Sequence, residues 1–136
     1  MILIKVKQTP SQQTDSPISF YAATKKSNEI LAYSYSSIYK IPITALRFFT
    51  VFGPYGRPDM AIHQFTKKII SNKEIKLYNY GRNKRDFTFI DDVITGITSL
   101  LNKPSKKKIP FDIYNIGSNA PYKTTTIISF LEKIIG

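Results

Sequence analysis

An α/β fold is predicted by three observations. Apolar residues Ile30, Leu31, Tyr35 and Ile38 recur at helical steps across the segment from Ser19 to Tyr39. The run Ile43–Thr50 has the β-branched and aromatic content of a buried strand. Gly53-Pro54-Tyr55-Gly56-Arg57-Pro58 then breaks the chain directly after that run. In open α/β sheets the C-terminal end of a strand is where ligands bind, so this loop is a candidate binding element.

The elements are justified in order. Ile2–Val6 reads as a short strand, followed by a polar, turn-rich segment through Pro17. A long helix begins at Ser19 or Phe20 and ends before Pro42, since proline cannot continue it. After the strand Ile43–Thr50 and its loop, Ile62, Phe65, Ile69 and Ile70 mark the apolar side of a helix over Met60–Ser71. Ile75–Tyr80 reads as a strand closed by Gly81-Arg82-Asn83, and Asp86–Phe89 as a short strand. Asp91 or Asp92 is suited to N-cap a helix to about Leu101. Phe111–Ile116 is a strand ended by Gly117, and Thr124, Thr125 or Thr126 can cap a last helix through Ile135. The predicted order is α-β-α-β-β-α-β-α, without internal repeats.

The 136 residues suffice for one compact domain, not two. A 42% hydrophobic content with nine Phe and nine Tyr is that of a globular chain. No apolar run approaches the length of a membrane span, and the N-terminal Met-Ile-Leu-Ile-Lys-Val-Lys lacks the features of a signal peptide. A cytoplasmic location is expected, and the absence of cysteine excludes disulfides and thiolate metal sites. The net charge of +11 raises a nucleic-acid partner. Sixteen of the basic residues are Lys and only four are Arg, however, which favours a lysine-rich composition over a recognition surface. The densest run, Lys103, Lys106, Lys107 and Lys108 around Pro104 and Ser105, reads as a solvated loop.

Chemistry enters with Tyr21 and Lys25, which at i and i+4 share one helix face. A phenol of ordinary pKa, about 10, is a poor base at neutral pH, and an adjacent ammonium favours its phenolate. Such a pair suits taking a proton from a sugar hydroxyl while a hydride leaves the same carbon. Tyr-x-x-x-Lys by itself is common, and its plain reading is a surface helix turn. The four Arg stand at positions 47, 57, 82 and 85, where planar bidentate recognition is available that Lys cannot supply. Arg47, within the apolar strand, reads as paired near the sheet end. Asp86, Asp91 and Asp92 read as structural partners and caps, His63 as decoration of the second helix, and no ligand set for a metal is evident.

Three motifs occur in order: Tyr21-Ala-Ala-Thr-Lys-Lys-Ser-Asn-Glu29, Leu46-Arg-Phe-Phe-Thr-Val-Phe-Gly-Pro-Tyr-Gly-Arg-Pro-Asp-Met-Ala61, and Lys84-Arg-Asp-Phe-Thr-Phe-Ile-Asp-Asp92. Together they resemble the extended short-chain dehydrogenase/reductases, in the NAD-dependent epimerase/dehydratase family, most closely the UDP-glucuronate 4-epimerase type. The resemblance runs from about Pro17 to the end. It implies that Tyr21 is the catalytic acid/base and that Lys25 supports it and binds the nicotinamide ribose, so both also bind cofactor. It implies NAD as cofactor and a UDP-sugar as substrate, oxidised at C4 to a ketone and reduced on the other face. Arg85 then matches a contact to the nucleotide diphosphate. Thr50 and Arg57 match positions that hold the sugar carboxylate, a grip that also restrains the intermediate β-keto acid from losing carbon dioxide. The plain readings are a surface ion pair for either Arg and a buried strand hydroxyl for Thr50.

The family binds NAD through a glycine-rich turn at a helix N-terminus. The six glycines here lie at 53, 56, 81, 96, 117 and 136, all downstream of Tyr21, and the Ser or Thr that partners the tyrosine would precede the first residue. The expected fold is thus the C-terminal part of an extended short-chain dehydrogenase. Residues 1–18 form a polar segment, 19–58 a remnant of the Rossmann core, and 59–136 a truncated substrate-binding lobe. The expected function is a truncated 4-epimerase of the UDP-glucuronate/UDP-galacturonate type, inactive alone. The alternatives are a nucleotide-sugar or anion-binding module acting with a partner chain, or a dehydratase or decarboxylase fragment. Apolar surface on the long helix and first strand should be exposed, to be covered by a homo-oligomer or by a chain carrying the complementary Rossmann half.

Overall fold

The computed structural model describes residues 15–136, so the strand expected at Ile2–Val6 lies outside the described residues. The elements are α1 (Phe20–Tyr39), β1 (Ile43–Phe48), β2 (Thr50–Phe52), α2 (Ala61–Ile70), a 3-10 turn (Tyr78–Gly81), β3 (Lys84–Phe89), α3 (Ile90–Leu101), β4 (Phe111–Ile116), β5 (Pro121–Lys123) and α4 (Thr124–Ile135). The fold is α/β, and its elements fall into two compact units, each discontinuous in sequence. The first takes residues up to Phe48 and returns for Ile94–Ile116; the second holds Phe49–Val93 and Gly117–Gly136.

In the first unit α1 starts where Ser19, in extended conformation, accepts a hydrogen bond from the Ala22 N–H at 3.1 Å. It stops at Lys40, which turns left-handed (φ 56°) just before Ile41-Pro42. The helix packs on β1 and β4, which pair in parallel from Ile43 opposite Phe111 to Phe48 opposite Ile116. Arg47 of β1 and Glu29 of α1 form a two-point ion pair, Nε to Oε1 at 2.6 Å and Nη2 to Oε2 at 2.7 Å, as the reading of Arg47 as a paired residue anticipated. Tyr33 meets Phe111 edge to face, with ring centroids 5.5 Å apart.

In the second unit β3 is the central strand, parallel to β2 and antiparallel to β5. Phe87, Val93 and Ile128 form its buried apolar core, each contributing roughly 2 kcal/mol by removal from water. Helices α2 and α4 pack together beside this sheet. Two glycines are required by close approach. Gly53 has φ 146°, and a Cβ there would lie 2.5 Å from Ile90 Cγ2; a Cβ at Gly117 would lie 2.6 Å from the Phe49 ring.

The structure corrects four local expectations. The single strand Ile43–Thr50 is two strands, because β1 takes β4 as partner and β2 takes β3, with Phe49 between them. Residues 75–80 form no strand: Asn79 (φ 49°) and Tyr80 (φ 52°) coil left-handed into the 3-10 turn, with Asn79 donating to Asn83 Oδ1 at 2.9 Å. Asp91 and Asp92 sit inside the first turn of α3, where carboxylates still favour the helix dipole, and do not precede it. Helix α4 opens at Thr124 after Lys123, with no side-chain cap.

Candidate functional site

Tyr21 and Lys25 lie in the first two turns of α1, and the helix delivers the juxtaposition that their spacing requires. Lys25 Nζ stands 5.3 Å from the centroid of the Tyr21 ring, over its face. The turn is pinned by Ser19 at its cap and by Thr24, whose hydroxyl donates to the Tyr21 carbonyl at 2.8 Å. Tyr21 is 71% exposed, so its hydroxyl is open to an incoming molecule. An exposed ammonium with three donors beside a phenol fits the hydroxyl groups of a nicotinamide ribose. The pyrophosphate of that cofactor calls for a glycine-rich turn at a helix N-terminus, and the first glycine of this sequence is Gly53. These residues therefore fit one end of NAD.

Thr50, Arg57 and Arg85 all belong to the second unit. Thr50 opens β2, half-buried and in register with Phe87 of β3. Arg57 lies in the loop after β2, where its Nε donates to Asp59 Oδ1 at 3.0 Å and its Nη2 to Oδ2 at 2.5 Å. Both side chains are largely exposed, which is the surface ion pair of the plain reading, and the Arg57 hydrogen bond holds the Asp59 carboxyl below the usual carboxylate range. The loop is fixed at its far end by Gln64, which donates to the Pro58 carbonyl at 2.6 Å. Arg85 is exposed on β3, opposite Tyr122 of β5.

Next to Arg85 on the strand is the buried Asp86. Asp86 Oδ1 accepts from the Ser118 N–H at 2.9 Å, the Ser118 hydroxyl at 2.8 Å and the Thr88 hydroxyl at 3.0 Å. These hydrogen bonds compensate the hydration that Asp86 loses on burial. Asp86 was legible as a structural partner, but nothing local in the sequence pointed to Ser118, which lies 32 residues away. His63 is exposed on α2. Among the described residues no three His, Asp or Glu side chains gather as a metal site, and no helix is long and apolar enough to cross a membrane.

A parallel strand pair carrying a helix with Tyr-x-x-x-Lys at its N-terminal end defines an α/β protein of the short-chain dehydrogenase class. The profile of the NAD dependent epimerase/dehydratase family matches residues 4–117, and the chain belongs to that family. It is 43% identical to Protein CapI of Staphylococcus aureus over 140 residues, covering 93% of this chain and 42% of that protein. A probable UDP-glucuronate 4-epimerase of Rhizobium meliloti is 38% identical over 147 residues, covering 97% and 43%. Among solved structures, the UDP-glucuronic acid 4-epimerase of Bacillus cereus in complex with UDP-glucuronic acid and NAD superposes with a TM-score of 0.80 at 43% identity. That match covers 89% of this chain and 38% of the other. The chain thus spans less than half the length of these relatives.

Proposed function

We propose that these residues carry the acid/base and sugar-binding part of a UDP-glucuronate 4-epimerase, and that they do not turn over substrate unless an NAD-binding portion is supplied. The observation that carries this reading is the exposed Tyr21 phenol with the Lys25 ammonium over its ring. The chemistry that NAD supplies when bound is reversible acceptance of a hydride from sugar C4. Tyr21 takes the proton of the C4 hydroxyl as that hydride leaves, and returns it once the ketone has presented its other face. Lys25 holds its positive charge over the ring of Tyr21, the group that takes and returns this proton.

The second unit, taken by itself, carries groups suited to the charged parts of a nucleotide sugar. Arg85, exposed next to the anchored Asp86, binds the diphosphate with a fork of donors. Thr50 and Arg57 hold the sugar carboxylate, with Arg57 exchanging part of its bond to Asp59 for the ligand. Exposed apolar residues along α1, among them Leu31 at 58% and Ile38 at 69%, favour coverage by a second copy or by a chain bearing the NAD-binding half.

Calorimetric titration tests this. UDP and UDP-glucuronate are expected to bind, and Arg85→Ala to weaken both about tenfold or more, the scale of lost charge-assisted hydrogen bonds. Absence of UDP binding removes the substrate site. Turnover of UDP-glucuronate by the purified chain removes the claim of dependence on another portion.

A further inference from the structure

The loop joining α3 to β4 builds a second surface, in the first unit, that shares no residue with Tyr21/Lys25 or with Thr50, Arg57 and Arg85. Lys103, Lys106 and Lys107 line an open groove of about 1040 Å³ together with Tyr33 of α1 and with Phe111 and Tyr114 of β4. The lysines of this loop are exposed, as the reading of a solvated run expects, and three of them share a groove with aromatic residues. Tyr33 is 47% and Tyr114 37% exposed, so ring surface remains available in the groove. The one carboxylate lining it, Asp112, is bound by Lys107, whose hydrogen bond holds that carboxyl below its ordinary range. Lys103 and Lys106 are exposed and add two charges to the groove, with Lys108 next in the chain.

We propose that this groove binds a nucleoside polyphosphate, with its base against the Tyr33 and Tyr114 rings and its phosphates on Lys103 and Lys106. Lysine ammoniums are flexible point charges suited to a phosphate chain rather than to the planar grip that a carboxylate takes from arginine. Partly exposed aromatic rings in a groove that lysines also line give a planar base a stacking surface that a bare phosphate does not use.

The test is titration of the full chain with adenosine triphosphate, followed by backbone amide shifts in 1H–15N NMR, with inorganic tripolyphosphate and a short oligothymidylate as comparison probes. Saturable shifts are expected at Tyr33, across residues 103–107 and across residues 111–114, with adenosine triphosphate binding tighter than tripolyphosphate. The double variant Lys103→Gln/Lys106→Gln changes only exposed side chains and should weaken binding about tenfold, the scale of two exposed ion pairs lost together. Shifts confined to residues 50–57 and 82–86 would place the nucleotide on the proposed substrate site and overturn the inference while leaving the epimerase reading intact. Equal binding of tripolyphosphate overturns the role of the rings. Tighter binding of the oligothymidylate assigns the groove to single strands instead, and absence of any saturable shift removes the site.

Discussion

The two units differ in how much of their own apolar surface they bury. The second has Phe87, Val93 and Ile128 below a tenth of their free exposure, and fixes Asp86 and Thr88 among them by hydrogen bonds. The first has no buried large apolar side chain among its described residues, while Phe20, Leu31, Ile38 and Tyr39 of α1 are each more than half exposed. A polar tie joins its helix to its strand, the two-point pair between Arg47 and Glu29. The proposed acid/base pair thus stands on the unit with the less complete core, whereas the proposed substrate contacts stand on a unit with a core of its own. A two-stranded parallel sheet has little stability by itself, so surface added to the first unit should contribute to its stability.

The largest expected effect sharpens that contrast. Phe87→Ala should cost about 3–4 kcal/mol of stability in urea denaturation, because a ring 7% exposed leaves a cavity. Leu31→Ala, at a side chain 58% exposed, should cost under about 0.5 kcal/mol in the dilute chain. If the two substitutions cost the same, the α1 face is already covered in solution and the contrast fails. Sedimentation at rising concentration then shows whether a second copy covers it.

Much of the first unit was legible because its signals are local. Ser19, Pro42 and the spacing of Tyr21 and Lys25 specify α1 and the pair it presents without reference to the rest of the chain. The failures occur where distant partners decide. Ile43–Thr50 carries strand residues throughout, and only the separate partners β4 and β3 divide it at Phe49. The alternation around Ile75 and Leu77 imitates a strand, but among the described residues no strand pairs with it, and two left-handed residues close the segment. β5 escaped notice because it is three residues long and begins with Pro121, and it exists through its ladder with β3. The same holds at the candidate site: Arg57 and Arg85 stood out by composition, whereas the Ser118 support of Asp86 depends on tertiary structure.

An intermediate effect probes the polar tie of the first unit. Hydrogen bonding from Arg47 holds the Glu29 carboxyl below its ordinary value of 4.5, against the opposing effect of burial. Since the folded pKa is the lower one, the stabilisation is fully present above the unfolded value and is lost as pH falls through the folded pKa. Glu29→Gln should therefore cost about 1–2 kcal/mol at neutral pH, keeping a single amide contact to Arg47. The difference from the parent chain should stay constant from pH 7 down to about pH 5 and shrink below it. A difference that grows on acidification would show that the ion pair is not what joins α1 to β1.

The smallest effect concerns ligand selectivity in the second unit. Asp59 occupies two of the Arg57 donors, and a sugar carboxylate arriving at Arg57 must compete with it. Because Arg57 holds the Asp59 carboxyl below its usual range, the competitor remains ionised throughout neutral pH. Asp59→Asn removes the competing charge but keeps an oxygen that can accept from Arg57. UDP-glucuronate should then bind about two- to fivefold tighter, the scale of one exposed ion pair, while UDP, which has no carboxylate, binds as before. An equal gain for both ligands would mean that the substitution acts through the general field of a basic protein. Weaker binding of UDP-glucuronate alone would mean that Asp59 orients Arg57 for the substrate instead of competing with it. The comparison of the two ligands, more than either affinity, decides whether this loop reads the sugar acid.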